Sequence, residues 1–351
     1  MKKTISILLA ACAALTSCES FLDREPVAEV GSGDYFKDET SLITYTNGFL
    51  EKYTPSAETL GYGDGYSDIV ATKQSFTFLT NASWTPDLQT GWSVSDWKPI
   101  YNINYFLAHM HEASGLSEEA YAHYEGTARF WRAWQYFEKV KLFGAVPWYD
   151  SPIDPEDMVA LYKPRDSREY VMERVLEDLD FACTHCYDSG SWINSARINR
   201  YIALAYKSRV CLFEGTFRKY HGLKDWESYL TACATASKRF TDESGYSVYT
   251  TGTTPYLNLF SSLKALDTEI VLARAYNTAI GLKHDVNGYL TSITMGRPGL
   301  LKNIANMYLM KDGTPFTSQP GWETMQLPEE SKNRDGRFAQ TVRTPGYKRI
   351  D

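Results

Sequence analysis

The chain is predicted to be mainly α-helical, with tetratricopeptide-like helical-hairpin repeats followed by an irregular, loop-rich C-terminal lobe. Three observations lead there. Between residues 92 and 240, apolar side chains recur at helical spacing. Gly and Pro gather at the short turns between those stretches. After Gly245 the period is lost, and Gly, Pro, Asn and Thr are spread throughout.

The first helix is expected to begin near Asp34 and to run through Phe36, Leu42, Tyr45 and Phe49 to about Tyr53. Residues 54–91 read as loop, with Pro55, Gly61, Gly63, Gly65 and Pro86 as breakers. A helix from Trp92 to about Ala113 carries Trp97, Ile100, Ile103, Asn104 and Leu107. After a turn at Gly115, Ser117 with Glu118 and Glu119 starts the next, whose stripe is Phe130, Ala133, Trp134, Phe137 and Val140. Gly144 and Pro147 end it. A third long helix starts near Ser167, with Val171, Val175, Leu179, Ala182 and Cys186 on one face. A fourth starts at about Ala196 and stacks Ile198, Ile202, Ala205, Ser208 and Leu212. A fifth carries Trp226, Leu230, Cys233, Ser237 and Phe240. Residues 92–142 and 167–219 look like two copies of one hairpin unit, with Ala128, Ala203 and Ala205 allowing close approach. Such units need neighbours to cover their apolar faces, so they are expected to stack. Beyond Gly245, residues 269–276 read as a strand and 306–310 as a short helix or strand.

The N-terminus has its own logic. Met1-Lys2-Lys3 is positive, and residues 5–15 are apolar and too few to span a bilayer. Residues 1–17 therefore read as a cleaved secretory leader. Leu15-Thr16-Ser17-Cys18 is the pattern of bacterial lipoproteins, in which Cys18 becomes the first mature residue and is acylated. Each buried acyl methylene contributes about 0.8 kcal/mol, so several chains anchor firmly. Plain secretion is the competing reading, but the cysteine stands where the cleavage site belongs. The expected organisation is then leader (1–17), extended arm (18–33), helical-repeat domain (34–244) and C-terminal lobe (245–351).

Composition excludes several functions. The net charge is −7 with both signs interspersed, so no basic patch points to nucleic acid. Cys183-Thr184-His185-Cys186 has Tyr187 where haem attachment needs His, and no second close pair to complete a zinc site. Buried thiols are the favoured reading there, with a disulfide as the alternative. Gly61-Tyr62-Gly63-Asp64-Gly65 lacks the Lys-Ser/Thr of a phosphate loop and the spacing of a calcium loop. The six His are scattered, with neither a zinc-protease pair nor a nucleophile elbow. No catalytic residue, metal site or cofactor is expected.

Six segments, in order, carry a resemblance. They are Cys18-Glu19-Ser20-Phe21-Leu22-Asp23 with Pro26; Asn47-Gly48 with Tyr53; Trp97 to Tyr101 with Asn104; and Arg132-Ala133 through Phe143-Gly144-Ala145-Val146-Pro147-Trp148. The last two are Ala205 to Leu212 with Gly215-Thr216-Phe217-Arg218, and Asn333-Arg334-Asp335-Gly336-Arg337 with Pro345-Gly346. Together they resemble the SusD/RagB family of outer-membrane lipoproteins of Bacteroidetes. The resemblance implies a non-enzymatic surface lipoprotein that binds oligosaccharide and passes it to a SusC-like TonB-dependent transporter. A peptide ligand, or a helical-repeat scaffold that binds protein only, is the alternative. The resemblance also implies residues beyond Asp351, including a late repeat helix, and so a C-terminal domain present only in part.

A sugar site needs flat rings for apolar sugar faces, plus amides and acids for hydroxyls. Aromatics are 14% of the chain, and the loops flanking the helices are where such rings would serve. The candidates are Tyr62, Trp84 and Trp92 on the N-terminal side, and Tyr276, Asn277, Tyr289 and Trp322 beyond the helices. Trp97, Trp131, Trp134 and Trp226 lie on helix stripes and read as core.

Overall fold

A computed structural model describes residues 35–72, 90–154, 156–295 and 298–348. Cys18 and Trp84 lie outside the described residues.

The helical expectation holds. α1 (Glu39–Tyr53) starts later than Asp34 because Asp38 caps it, its carboxylate accepting from the Ser41 amide at 3.0 Å. α2 (Ala57–Gly63) occupies a stretch expected to be loop. Ser56 caps α2, and Gly61 is a contact point rather than a breaker: a Cβ there would lie 3.3 Å from Val286 Cγ1. α3 (Val94–His109) buries Ile100, Ile103, Asn104 and Phe106. α4 (Glu118–Phe143) is capped by Ser117 and ends at Gly144, whose φ of 70° suits glycine. A short α5 (Met158–Leu161) precedes α6 (Arg168–His185), which Ser167 caps. α7 (Arg200–Tyr220) begins at Asn199, not Ala196, because the Asn199 side chain accepts from both Tyr201 and Ile202 amides. α8 (Trp226–Glu243) closes the helical run.

These helices stack in sequence. α4 packs on α1, α3 and α6; α7 packs on α6 and α8. Flanked on both sides, α7 buries a broad face including Ile202, Ala203, Tyr206 and Cys211, which leaves Leu212 exposed rather than on the expected stripe. The closest approaches are at glycines. A Cβ on Gly126 would lie 3.0 Å from Cys186 Sγ, and one on Gly215 would lie 2.7 Å from Leu230 Cδ2. Ala128 and Ala203 are buried as expected, and Ala205 is only half-buried. Glu214, fully buried on α7, is held by Arg168 at 2.6 Å and Arg218 at 2.8 Å. Cys183, Cys186 and Cys211 are buried free thiols, and burial pushes each of them up to about 12.

Past α8 the elements are short: α9 (Pro255–Ser261), α10 (Val286–Thr291), α11 (Lys302–Met307), α12 (Leu327–Glu330) and α13 (Gly336–Thr341). Residues 269–276 form no strand. They run along the helical core, where Val271 and Leu272 pack and the Ala273 amide donates to Ser195 O at 2.8 Å. A strand needs a neighbouring strand, and the backbone partner here is the turn at Ser195. The described sheet is one antiparallel pair, β1 (Val70–Ala71) with β2 (Gly299–Leu300). Over 306–310, α11 ends at Met307, and Leu309 and Met310 make isolated bridges. Arg334 ties this region together, donating to Glu330 O and Tyr308 O while its guanidinium sits about 4 Å from the Phe316 and Phe338 rings.

Candidate ligand-binding site

The sequence-predicted residues divide between two places. Tyr62, Tyr276 and Tyr289 meet around α2. Tyr62 packs on Tyr289 with ring centroids 4.1 Å apart, and the Tyr276 hydroxyl accepts from the Ala57 amide at 2.7 Å. Much of this cluster serves packing. Tyr289 is buried, which raises its hydroxyl pKa, and Tyr276 is half-buried with His284 edge-on at 4.7 Å. Asn277 is exposed, but its side-chain oxygen accepts from the Ala279 amide and caps the turn Thr278–Ile280. Trp322 stands apart, half-buried near Phe316.

Trp92 belongs to a different feature, a groove of about 960 Å³ between α3 and residues 147–165. Pockets for small ligands fall at about 300–1,000 Å³. The groove is built from the bottom by Asn104 on α3. The Asn104 amide nitrogen donates to Tyr149 O at 2.9 Å and Ser151 O at 3.3 Å, which draws the second wall toward the helix. Tyr136 fixes the same strip: its hydroxyl accepts from the Tyr149 amide at 2.6 Å. The Tyr149 hydroxyl then donates to Ala160 O at 2.8 Å, and Lys163 donates to Trp148 O at 2.9 Å, so the wall folds back on itself.

Ile100 and Asn104 form a buried floor. Rings surround it. Trp92 is half-buried and edge-on to Trp97 at 5.1 Å and to Phe143 at 4.8 Å. Tyr101 is 45% exposed and Tyr162 is 77% exposed, so both offer faces to a ligand. Val94 and Leu161 add exposed apolar surface at the rim. Exposed apolar surface gathered in a concavity is the unusual observation, because scattered exposed residues are ordinary. Trp97, expected in the core, lines this groove while its far side packs inward. Of the other stripe tryptophans, Trp131 is fully buried; Trp134 is part-buried and stacked on Tyr206 at 4.2 Å; Trp226 is part-buried with Lys219 Nζ 4.7 Å from its ring.

Comparison with known proteins decides the family. Residues 20–212 match the SusD-like family described as starch-binding and associating with the outer membrane. The chain belongs to the SusD-like family. Its relative SusD-like protein P25 of Formosa agariphila is 22% identical over 305 residues, covering 82% of this chain and 53% of that protein. A solved SusD-like protein from Bacteroides fragilis superposes with a TM-score of 0.63 at 22% identity, over 90% of this chain and 63% of that one. A SusD-like carbohydrate-binding protein from the same species gives 0.64 at 16% identity, over 87% and 60%. These likenesses establish the fold. This SusD-like chain spans about half the length of its curated relative.

Sequence reasoning found Trp92 but missed the rest of the groove in this SusD-like chain, namely Lys98, Tyr101, Tyr162 and Arg165 as lining residues. One signal was present: Met158 to Arg165 carries an apolar run and two cations without an acid, outside any helical period. Among the described residues, no helix is long and apolar enough to cross a membrane.

Proposed function

We propose that the chain is a cell-surface lipoprotein that binds oligosaccharide in the Trp92 groove without turning it over, and delivers it to a SusC-like TonB-dependent transporter. The observation that carries the reading is the groove: half-exposed rings around a buried floor, in a concavity of about 960 Å³. Sugar rings have apolar faces that stack on aromatic side chains, and buried apolar area supplies the affinity. The family description, starch-binding and associating with the outer membrane, agrees with that chemistry. Glycoside hydrolysis needs two facing carboxylates. The described lining of this groove consists instead of rings, aliphatic residues, cations and the uncharged Asn104 and Ser151.

In this reading Trp92, Tyr101 and Tyr162 are the stacking platform. Tyr62, Tyr276, Asn277, Trp84, Tyr289 and Trp322 are secondary contacts. Cys18 carries the lipid that holds the protein at the outer membrane. Isothermal calorimetry with an oligosaccharide panel tests the binding role, using Trp92→Ala and Tyr276→Ala with circular dichroism as the folding control. Trp92→Ala is expected to weaken binding at least about tenfold. Tyr276→Ala is expected to change affinity less, because its hydroxyl is engaged by Ala57. Absence of binding to every glycan, together with failure to co-purify with an outer-membrane transporter, would end the reading.

A further inference from the structure

The groove departs from the charge of its own molecule. The chain is net negative by 7, yet Lys98, Lys163 and Arg165 line this cavity, and no Asp or Glu lines it among the described residues. The carboxylates on the flanking elements are turned elsewhere. Asp96 accepts from the Ser93 amide at 2.9 Å, capping α3. Asp166 accepts from the Trp148 amide at 2.7 Å and pairs with Lys163 at 2.8 Å. Asp157 caps α5 through the Val159 and Ala160 amides. Lys163 is thereby neutralised, while Lys98 and Arg165 have no carboxylate within salt-bridge distance among the described residues.

Arg165 is also pre-positioned. Its guanidinium carbon lies 4.6 Å from the centroid of the Trp92 ring, so the cation is held over the aromatic wall. With no carboxylate partner among the described residues, its fork of N–H donors is available to a planar or tetrahedral oxyanion. Lys98 is exposed one residue along α3 from Trp97 and supplies a second, more mobile point charge. Rings for a sugar face and unpaired cations for an anion therefore converge in one cavity. A neutral oligosaccharide would use the rings but leave both charges without partners.

We propose that the Trp92 groove selects acidic oligosaccharides, those bearing carboxylate or sulfate groups, through Arg165 and Lys98. The proposal rests on the reading of this groove as an oligosaccharide site and names the class of ligand it takes.

The test is calorimetric titration of the full chain with tetragalacturonate, its neutral methyl ester, and a sulfated galactan tetrasaccharide, each at low and high salt. At least one acidic probe is expected to bind about tenfold more tightly than the methyl ester at low salt, and the gap is expected to shrink as salt screens the charges. Arg165→Gln and Lys98→Gln should each weaken acidic binding about three- to tenfold. The double variant should bind all three probes alike, and Trp92→Ala should weaken every probe that binds. Equal or tighter binding of the methyl ester overturns acid selection and leaves the oligosaccharide reading standing. So does an acidic preference that survives in the double variant. Binding of none of the three probes overturns acid selection; the oligosaccharide reading falls only if the wider glycan panel and transporter co-purification fail as well.

Discussion

Arg132 and Asp178 form a bidentate ion pair inside the helical stack, with Nε to Oδ2 at 2.7 Å and Nη2 to Oδ1 at 2.8 Å. Both residues are buried. Burial works against the guanidinium charge, but the adjacent Asp178 carboxylate outweighs it and holds the Arg132 pKa above its ordinary value. The other arm of Arg132 donates to Asn104 Oδ1 at 3.1 Å and Asp150 O at 3.3 Å. The pair thus joins α4 to α6 and, through Asn104, orients the side chain that holds the groove's second wall.

Asp178→Ala is expected to destabilise the protein by about 3–5 kcal/mol, because it leaves a buried guanidinium uncompensated. Urea unfolding measures this. Replacing both partners with apolar residues of similar volume should recover much of the loss, since the pair's own desolvation cost is then removed. Binding in the groove should not recover in the double variant, because Asn104 loses the Arg132 donor that orients it.

Acid should weaken the fold through His123. It is buried between Tyr187, stacked at 4.0 Å, and Trp192, with Nδ1 accepting from the Tyr187 amide at 3.1 Å. Burial lowers its pKa from 6.5 to about 3. Between those values the unfolded chain binds a proton that the folded chain does not, so stability is full above pH 6.5 and declines toward pH 3. The expected loss from this group is roughly 2 kcal/mol between pH 7 and 5. Unfolding free energies from denaturant curves should fall between pH 7 and 5 by about that much more in the native chain than in His123→Asn; an identical pH slope in both would contradict it.

Gly215→Ala should cost about 1–3 kcal/mol, because the new methyl would lie 2.7 Å from Leu230 Cδ2 and 3.2 Å from the Leu230 amide nitrogen. Leu230→Ala in the same chain should restore part of the loss by vacating the side-chain clash. The melting temperatures of the single and double variants decide the matter.

Cys18→Ala is expected to release the protein from membranes into the soluble fraction, given Leu15-Thr16-Ser17-Cys18 after a short apolar core. Fractionation with a high-salt wash is the measurement. Retention of the variant in the membrane fraction would refute lipidation as the anchor.

The long helices were legible in the sequence because what specifies them is local. A 3.6-residue apolar period and a capping side chain at Ser117 or Ser167 act within one or two turns, and both caps stand where the sequence put them. Thiol burial was legible for the same reason: Cys183 and Cys186 sit on or next to a stripe whose face is set by spacing. Where local signals conflicted, neighbours decided. Gly61 and Gly63 read as breakers, yet α2 forms across them because Ser56 caps it and Val286 packs on it. Residues 269–276 have strand-like composition but pack Val271 and Leu272 on the helical core, with no strand beside them among the described residues to complete a ladder.

The sequence by itself determined the helical class, the order of the long helices and the aromatic supply, since each depends on residues near one another in the chain. Only the tertiary structure decided which aromatics face a cavity. Tyr62 and Tyr289 were equal candidates with Trp92 until α10 came against α2 and covered them. Tyr101 and Tyr162 are about sixty residues apart and meet across a groove only because Asn104, oriented by Arg132, draws residues 149–151 onto α3. Exposure of a ring is a property of what packs beside it, and that is set by contacts distant in sequence.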